Sequence, residues 1–164
     1  EGKAVRFNES DIRSMGRGAA GVRGVRLKEG DYVVEMDVVK QPERDSLFVI
    51  MENGLGKMSL VDAFRKTARG GGGVKCANIT VKTGKVAAAK IMEEDFQGDL
   101  ILVAKSGQSI RIPSDSIPKR GRATQGVILM RPKAGDLVMS VSKIATAVET
   151  EEAKEALSEQ GKLI

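Results

Sequence analysis

Leu47-Phe-Val-Ile-Met-Glu-Asn-Gly54 is an apolar run that ends in a turn signal, and the same grammar returns in Leu100-Ile-Leu-Val-Ala-Lys-Ser-Gly107. Short apolar runs stopped by polar residues and glycine predict strands that enter hairpin turns. The two turn glycines lie 53 residues apart, and Gly2 stands 52 residues before the first of them. Three Gly-Val pairs, Gly21-Val22, Gly73-Val74 and Gly126-Val127, keep the same spacings. So do Arg17, Arg69 and Arg122, and the apolar Ile12, Phe64 and Ile117. A period of about fifty residues marks a repeat architecture in which each unit is one supersecondary element.

Outward from the hairpin, each unit continues with a second strand, such as Ser109-Ile-Arg-Ile112, and a polar link into the Arg/Gly segment. A further apolar stretch follows, such as Val127-Ile-Leu-Met130. A last strand is expected at residues 32–39, 86–92 and 137–144. Four strands per unit predict an all-β, propeller-like array of four-stranded blades in about three repeats. The expected boundaries are 1–44, 45–97 and 98–145, with 146–164 as an acidic tail. The first unit opens at Glu1-Gly2-Lys3 with no counterpart of residues 47–51, so it reads as a truncated blade and the chain as a fragment.

Composition narrows the function. With 41% apolar residues in 164 the chain can bury a core. No apolar run is long enough to span a bilayer and no charged-then-apolar leader opens the sequence, so a cytoplasmic protein without a membrane partner is expected. One cysteine and no histidine remove the commonest zinc ligands and the usual general base. The net charge is +5, but residues 149–164 hold five glutamates against Lys154 and Lys162, a net −3, which leaves +8 on residues 1–148. Such an excess draws a protein to polyanions.

Gly16-Arg-Gly-Ala-Ala-Gly21 matches G-x-G-x-x-G, yet a Val/Arg/Leu strand pattern follows it where a dinucleotide fold needs a helix. The third unit keeps only the flanking glycines, in Gly121-Arg-Ala-Thr-Gln-Gly126, which favours tight turns over a nucleotide cradle. The informative feature is the recurring arginine. Arg13 and Arg23 flank Arg17, Arg65, Lys66 and Lys75 flank Arg69, and Lys119 and Arg120 precede Arg122. The hairpin strands add Arg6, Lys57 and Arg111. Guanidinium and ammonium groups beside glycine-rich turns suit phosphate contact, so these thirteen residues are the candidate DNA-binding set. With four phenylalanines, one tyrosine and no tryptophan there are few rings for unpaired bases to stack on, which favours duplex over single-stranded nucleic acid. Tyr32, without a base or metal cluster beside it, is expected to pack in a strand. Glu93-Glu94-Asp95 is expected to be a solvated loop, and Cys76 a small buried residue.

Gly2-Lys-Ala-Val-Arg-Phe7, Met15-Gly-Arg17, Gly21-Val-Arg-Gly-Val-Arg-Leu27 and Gly121-Arg-Ala-Thr-Gln-Gly-Val-Ile-Leu129 resemble blades of the C-terminal domain family of bacterial DNA gyrase A, over residues 2–144. Asn53-Gly-Leu-Gly-Lys57 and Gly30-Asp-Tyr-Val-Val34 are similar to further signatures of that family. The resemblance implies a partial β-pinwheel, whose blades exchange strands with their neighbours and whose basic perimeter wraps double-stranded DNA. It also implies a module without catalytic residues, cofactor or metal of its own, since ATP and Mg²⁺ act elsewhere in the holoenzyme. The implied partners are DNA, the remainder of gyrase A, and gyrase B. The family's hallmark box, a glutamine followed by basic residues and Gly-Gly, is matched only in its Arg-Gly-Gly core by residues 67–73. Two alternatives stand beside this reading: the A-type subunit of topoisomerase IV, and a protein-binding propeller, whose usual aromatic signatures this chain lacks.

Overall fold

The computed structural model describes residues 1–146, so the expected acidic tail lies outside the described residues apart from Thr146. The strands are β1 (Lys3–Ala4), β2 (Ser46–Met51), β3 (Leu55–Leu60), β4 (Val74–Lys75), β5 (Val86–Met92), β6 (Gly98–Ala104), β7 (Ser109–Pro113), β8 (Val127–Ile128) and β9 (Val138–Ala145). Three single-turn 3-10 segments, Glu9–Asp11, Val61–Ala63 and Ser114–Ser116, recur at the repeat spacing. Each is followed by one of the aligned apolar residues Ile12, Phe64 and Ile117, whose N–H closes the turn. No helix among the described residues is long and apolar enough to cross a membrane.

The sheets cut across the repeats. β2 and β3 form the expected hairpin, β5 returns along the other edge of β2, and the fourth strand, β8, comes from the following unit, giving the order β5-β2-β3-β8. The first and second units share strands in the same register. Lys3 and Ala4 pair with Lys75 and Val74 as Leu55 and Gly56 pair with Ile128 and Val127. Both pairings are antiparallel, and both break off after two residues. The third sheet, β7-β6-β9, has three strands. A bulge falls at equivalent points of the two larger sheets, between Ile50 and Met51 and between Val103 and Ala104.

Burial explains why the deciding stretch lacks alternation. Phe48 and Ile50 of β2 face a core shared with Leu100, Leu102, Val138 and Val141. Val49 and Met51 face the opposite way, into a second core with Leu55, Phe64, Cys76 and Val86. A strand buried on both faces reads as a near-continuous apolar run wherever its side chains have no internal hydrogen-bond partner. β6 has one covered face, so Leu100, Leu102 and Ala104 are buried while Ile101 and Val103 are only half-buried. Cys76 is buried in the second core, as expected.

One expected strand is not there. Residues 32–39 form no ladder, and Tyr32, Met36 and Val38 are 57%, 87% and 70% exposed. In the other two units this slot pairs with the leading strand, β5 on β2 and β9 on β6. Among the described residues no strand pairs with 32–39, so the segment has the side chains of a strand without ladder bonding. Tyr32 is accordingly a solvent-exposed residue of an unpaired segment, and not a packed one.

Candidate nucleic-acid interface

The Arg/Gly loops are positioned by backbone bonds that repeat from unit to unit. The Thr67 N–H donates to the Arg6 carbonyl at 2.8 Å, and the equivalent Arg120 N–H donates to the Met58 carbonyl at 2.7 Å. The Arg26 N–H donates to the Gly71 carbonyl at 2.9 Å, and that of Asn78 to the Thr124 carbonyl at 3.1 Å. Each loop is thus gripped on both sides by the unit before it, and one operation carries the first grip onto the second. Glycine is required where the chains cross. Gly73 and Gly126 have φ of 73° and 77°, and a Cβ would sit 2.7 Å from the Ala4 carbonyl oxygen in one case and 2.4 Å from that of Gly56 in the other.

On this frame the recurring arginines take comparable positions. Arg69 donates from Nε to the Asp11 carbonyl at 3.1 Å and from Nη1 to the Arg23 carbonyl at 3.4 Å. Arg122 donates from Nη1 to the Lys75 carbonyl at 3.0 Å. Arg23 and Lys75 are themselves equivalent, 52 residues apart. The acceptors are carbonyls, so neither charge is neutralised. Arg13, Arg17, Arg23, Arg65, Lys66, Arg69, Lys75, Lys119 and Arg120 are exposed and Arg122 is half-buried. None of these ten is ion-paired with a carboxylate among the described residues.

The other three members of the expected set stand apart. Lys57, expected as a phosphate ligand, is fully buried, with its ammonium turned into the Gly121–Thr124 loop and not to solvent. Its Nζ donates to the carbonyls of Gly121 at 2.7 Å and Arg122 at 2.6 Å, and to Thr124 Oγ1 at 3.3 Å. Burial, followed by the nearby Arg122 charge, pushes its pKa down to about 8, against a partial offset from Cys76. Arg6 is half-buried and gives Nη1 to the Val61 and Phe64 carbonyls, both at 3.0 Å, with Asp62 at 4.0 Å. Arg111 is exposed but ion-paired to Asp99, which cancels much of its field.

Sequence reasoning did not single out Ser59, whose buried Oγ donates to the Arg120 carbonyl at 2.8 Å. A serine in a strand carries no signal by itself. Its only clue is a place 61 residues before a basic loop, at the offset that joins successive units.

A family model described as DNA gyrase C-terminal domain, beta-propeller, matches residues 1–40, 45–91 and 98–145. The chain belongs to that family. The DNA gyrase A protein of Staphylococcus epidermidis is 41% identical over 140 residues, which are 85% of this chain and 16% of that protein. The DNA gyrase A protein of Chlamydia muridarum is 42% identical over 160 residues, 97% of this chain and 19% of that protein. The chain therefore spans less than a fifth of the gyrase A relatives it matches. A solved DNA gyrase A C-terminal domain superposes with a TM-score of 0.77 at 31% identity, covering 87% of this chain and 47% of the other. The C-terminal domain of a DNA topoisomerase IV superposes at 0.80 over 99% and 49%; at 24% identity it is a likeness of fold. The all-β, pinwheel-type architecture with strands exchanged between units is that of these gyrase and topoisomerase domains.

Proposed function

We propose that this chain is a duplex-holding module of a gyrase A protein, and that it wraps DNA along its basic border without reading bases. The observation that carries the reading is the set of ten cationic side chains that have no carboxylate partner among the described residues, two of the recurring arginines being fixed by equivalent bonds. Phosphates are the natural counter-charge for such a border, and neighbouring glycines let backbone N–H groups approach them. Counterion release drives the binding. It offsets a bending cost on the order of 1–6 kcal/mol for a short site. Membership of the gyrase family and the scarcity of aromatic rings both favour the duplex over other polyanions.

In this reading the chain performs no chemistry. The tyrosine that cuts DNA lies elsewhere in gyrase A, and ATP and Mg²⁺ act elsewhere in the assembly with gyrase B. The wrap presents a following DNA segment to the cleavage gate, giving strand passage a direction and coupling ATP use to negative supercoiling. Two measurements test this. If six or more phosphates are held, duplex affinity falls about a thousandfold between roughly 50 and 200 mM salt. Relaxed circles closed by ligase in the presence of the protein also shift in linking number. A flat salt response, or circles indistinguishable from those closed without protein, refutes the proposal.

A further inference from the structure

The recurring arginines do more than present charge. At each junction between units the cation-to-carbonyl bonds run both ways. From the first unit Arg6 reaches the Val61 and Phe64 carbonyls of the second, and from the second Arg69 reaches back to Asp11 and Arg23. At the next junction Lys57 reaches forward to Gly121 and Arg122, and Arg122 reaches back to Lys75. The backward bonds end at equivalent acceptors, Arg23 and Lys75, although the acceptor side chains differ. Selection of the same backbone atom by the same residue type at both junctions points to a geometric task.

We propose that Arg69 and Arg122 are positioning residues that fix the angle between successive units, and through it the curvature of the basic border. A guanidinium carries five N–H donors on a rigid plane. Arg69 commits two of its donors to the preceding unit and Arg122 one, so the rest of each fork is left for phosphate. One side chain thus both sets the path of the border and lies on it. The ladders β1-β4 and β3-β8 are only two residues long, so the angle at each junction is set by the backbone grips of the Arg/Gly loops together with these arginine bonds.

This proposal rests on the DNA-wrapping reading for its consequence but not for its geometry, and the experiment separates the two. In the full chain the cation is moved one residue along each exposed loop, combining Ala68→Lys with Arg69→Ala and Arg122→Ala with Ala123→Lys. Net charge is kept while the carbonyl bonds are lost. The matched control, Arg17→Ala with Ala19→Lys, shifts a cation that donates no hydrogen bond to another unit among the described residues. Amide exchange is followed at Arg26, Gly70 and Asn78, whose N–H groups bridge units, and at Phe48 and Val49 as reporters of the core. The bend of an end-labelled duplex of about 150 base pairs, near one persistence length, is read by energy transfer at saturating protein.

The shifted variant is expected to exchange at least tenfold faster at the bridging amides while the core reporters stay protected. Its affinity falls about threefold, and its bend at saturation falls by at least half. The Arg17 control loses affinity by a similar factor and keeps both the bend and the protection. Unchanged bridging exchange overturns the proposal, as does an unchanged bend in a variant that binds. If the unaltered chain binds no duplex, the wrapping reading fails and exchange alone decides the positioning role. If the combined variant loses core protection, the single-loop variants at Arg69 and Arg122 are read in the same way.

Discussion

Val86–Met92 and residues 32–39 fill the same slot of the repeat, and only the first is a strand. Residues 32–39 have the stronger local preference for the extended chain, with four valines and a tyrosine against three alanines in β5. β5 is nevertheless ordered into a ladder because β2 offers it a row of carbonyls and N–H groups, and because Phe48 and Ile50 close a core over Ala88 and Met92. Strand formation is thus a property of the pair, and propensity only biases it. The remains of an interface are still visible in the unpaired segment. Glu35 forms an ion pair with Lys90 at 2.9 Å, and the Asp37 carboxylate accepts from the Ile91 N–H at 2.9 Å. These bonds lay the segment along the free edge of β5 without ladder bonding.

The largest test of this contrast removes the core of the paired strand. Phe48 is completely buried, and Phe48→Ala is expected to cost about 3–5 kcal/mol in denaturant unfolding. Met36→Ala in the unpaired segment is expected to stay within about 0.5 kcal/mol. Comparable losses at both positions mean that residues 32–39 are packed in solution, and the contrast fails.

A second contrast between the first and middle units lies one strand away. Lys57 occupies the slot held by Val5 in the first unit, beside the equivalent crossing glycine. Desolvation disfavours the charged form of Lys57 in the fold and brings its pKa to about 8 from 10.5, so the unfolded chain binds the proton more tightly across that window. Stability is therefore expected to rise as pH increases from about 8 to 10.5, by an amount on the order of 1–3 kcal/mol. The neighbouring Cys76 thiol is pushed upward, chiefly by burial, and its ionisation opposes that rise. The measurement is cleanest in a Cys76→Ser background, by denaturant titration at several pH values. Lys57→Val, which makes the second junction resemble the first, abolishes the rise; persistence of the rise in that variant assigns it to another group.

How much of this was legible in the residues follows from the same physics. β2, β5, β6, β7 and β9 were readable because apolar runs ended by turn residues carry both length and boundary. The recurrence of Arg69 and Arg122 on equivalent loops was readable from spacing alone. The exchange of β4 and β8 into the preceding sheets was not, because a two-residue strand has no periodicity to detect. The family likeness supplied that feature. The burial of Lys57 was hidden for a different reason. A lysine beside glycine in a hairpin looks solvated, and its acceptors are backbone carbonyls 64 and 65 residues away, which no pattern of side chains reveals.

The finest test asks whether the unpaired segment becomes a strand when a partner is offered. Fusing a copy of residues 45–53 ahead of Gly2 supplies a leading strand together with its turn residues. Ladder bonds are then expected along residues 32–39, and their amides, now outside any ladder, should exchange at least tenfold more slowly, equivalent to about 1.4 kcal/mol. Val38→Pro in the fused chain removes a ladder donor and should reverse the gain, whereas in the original chain the same substitution removes only the bond to the Asp37 side chain. If the fused strand gives no protection, the exposed state of residues 32–39 reflects their own side chains and not the want of a neighbour. The difference between the two slots would then have to be traced to the three alanines that let β5 pack closely.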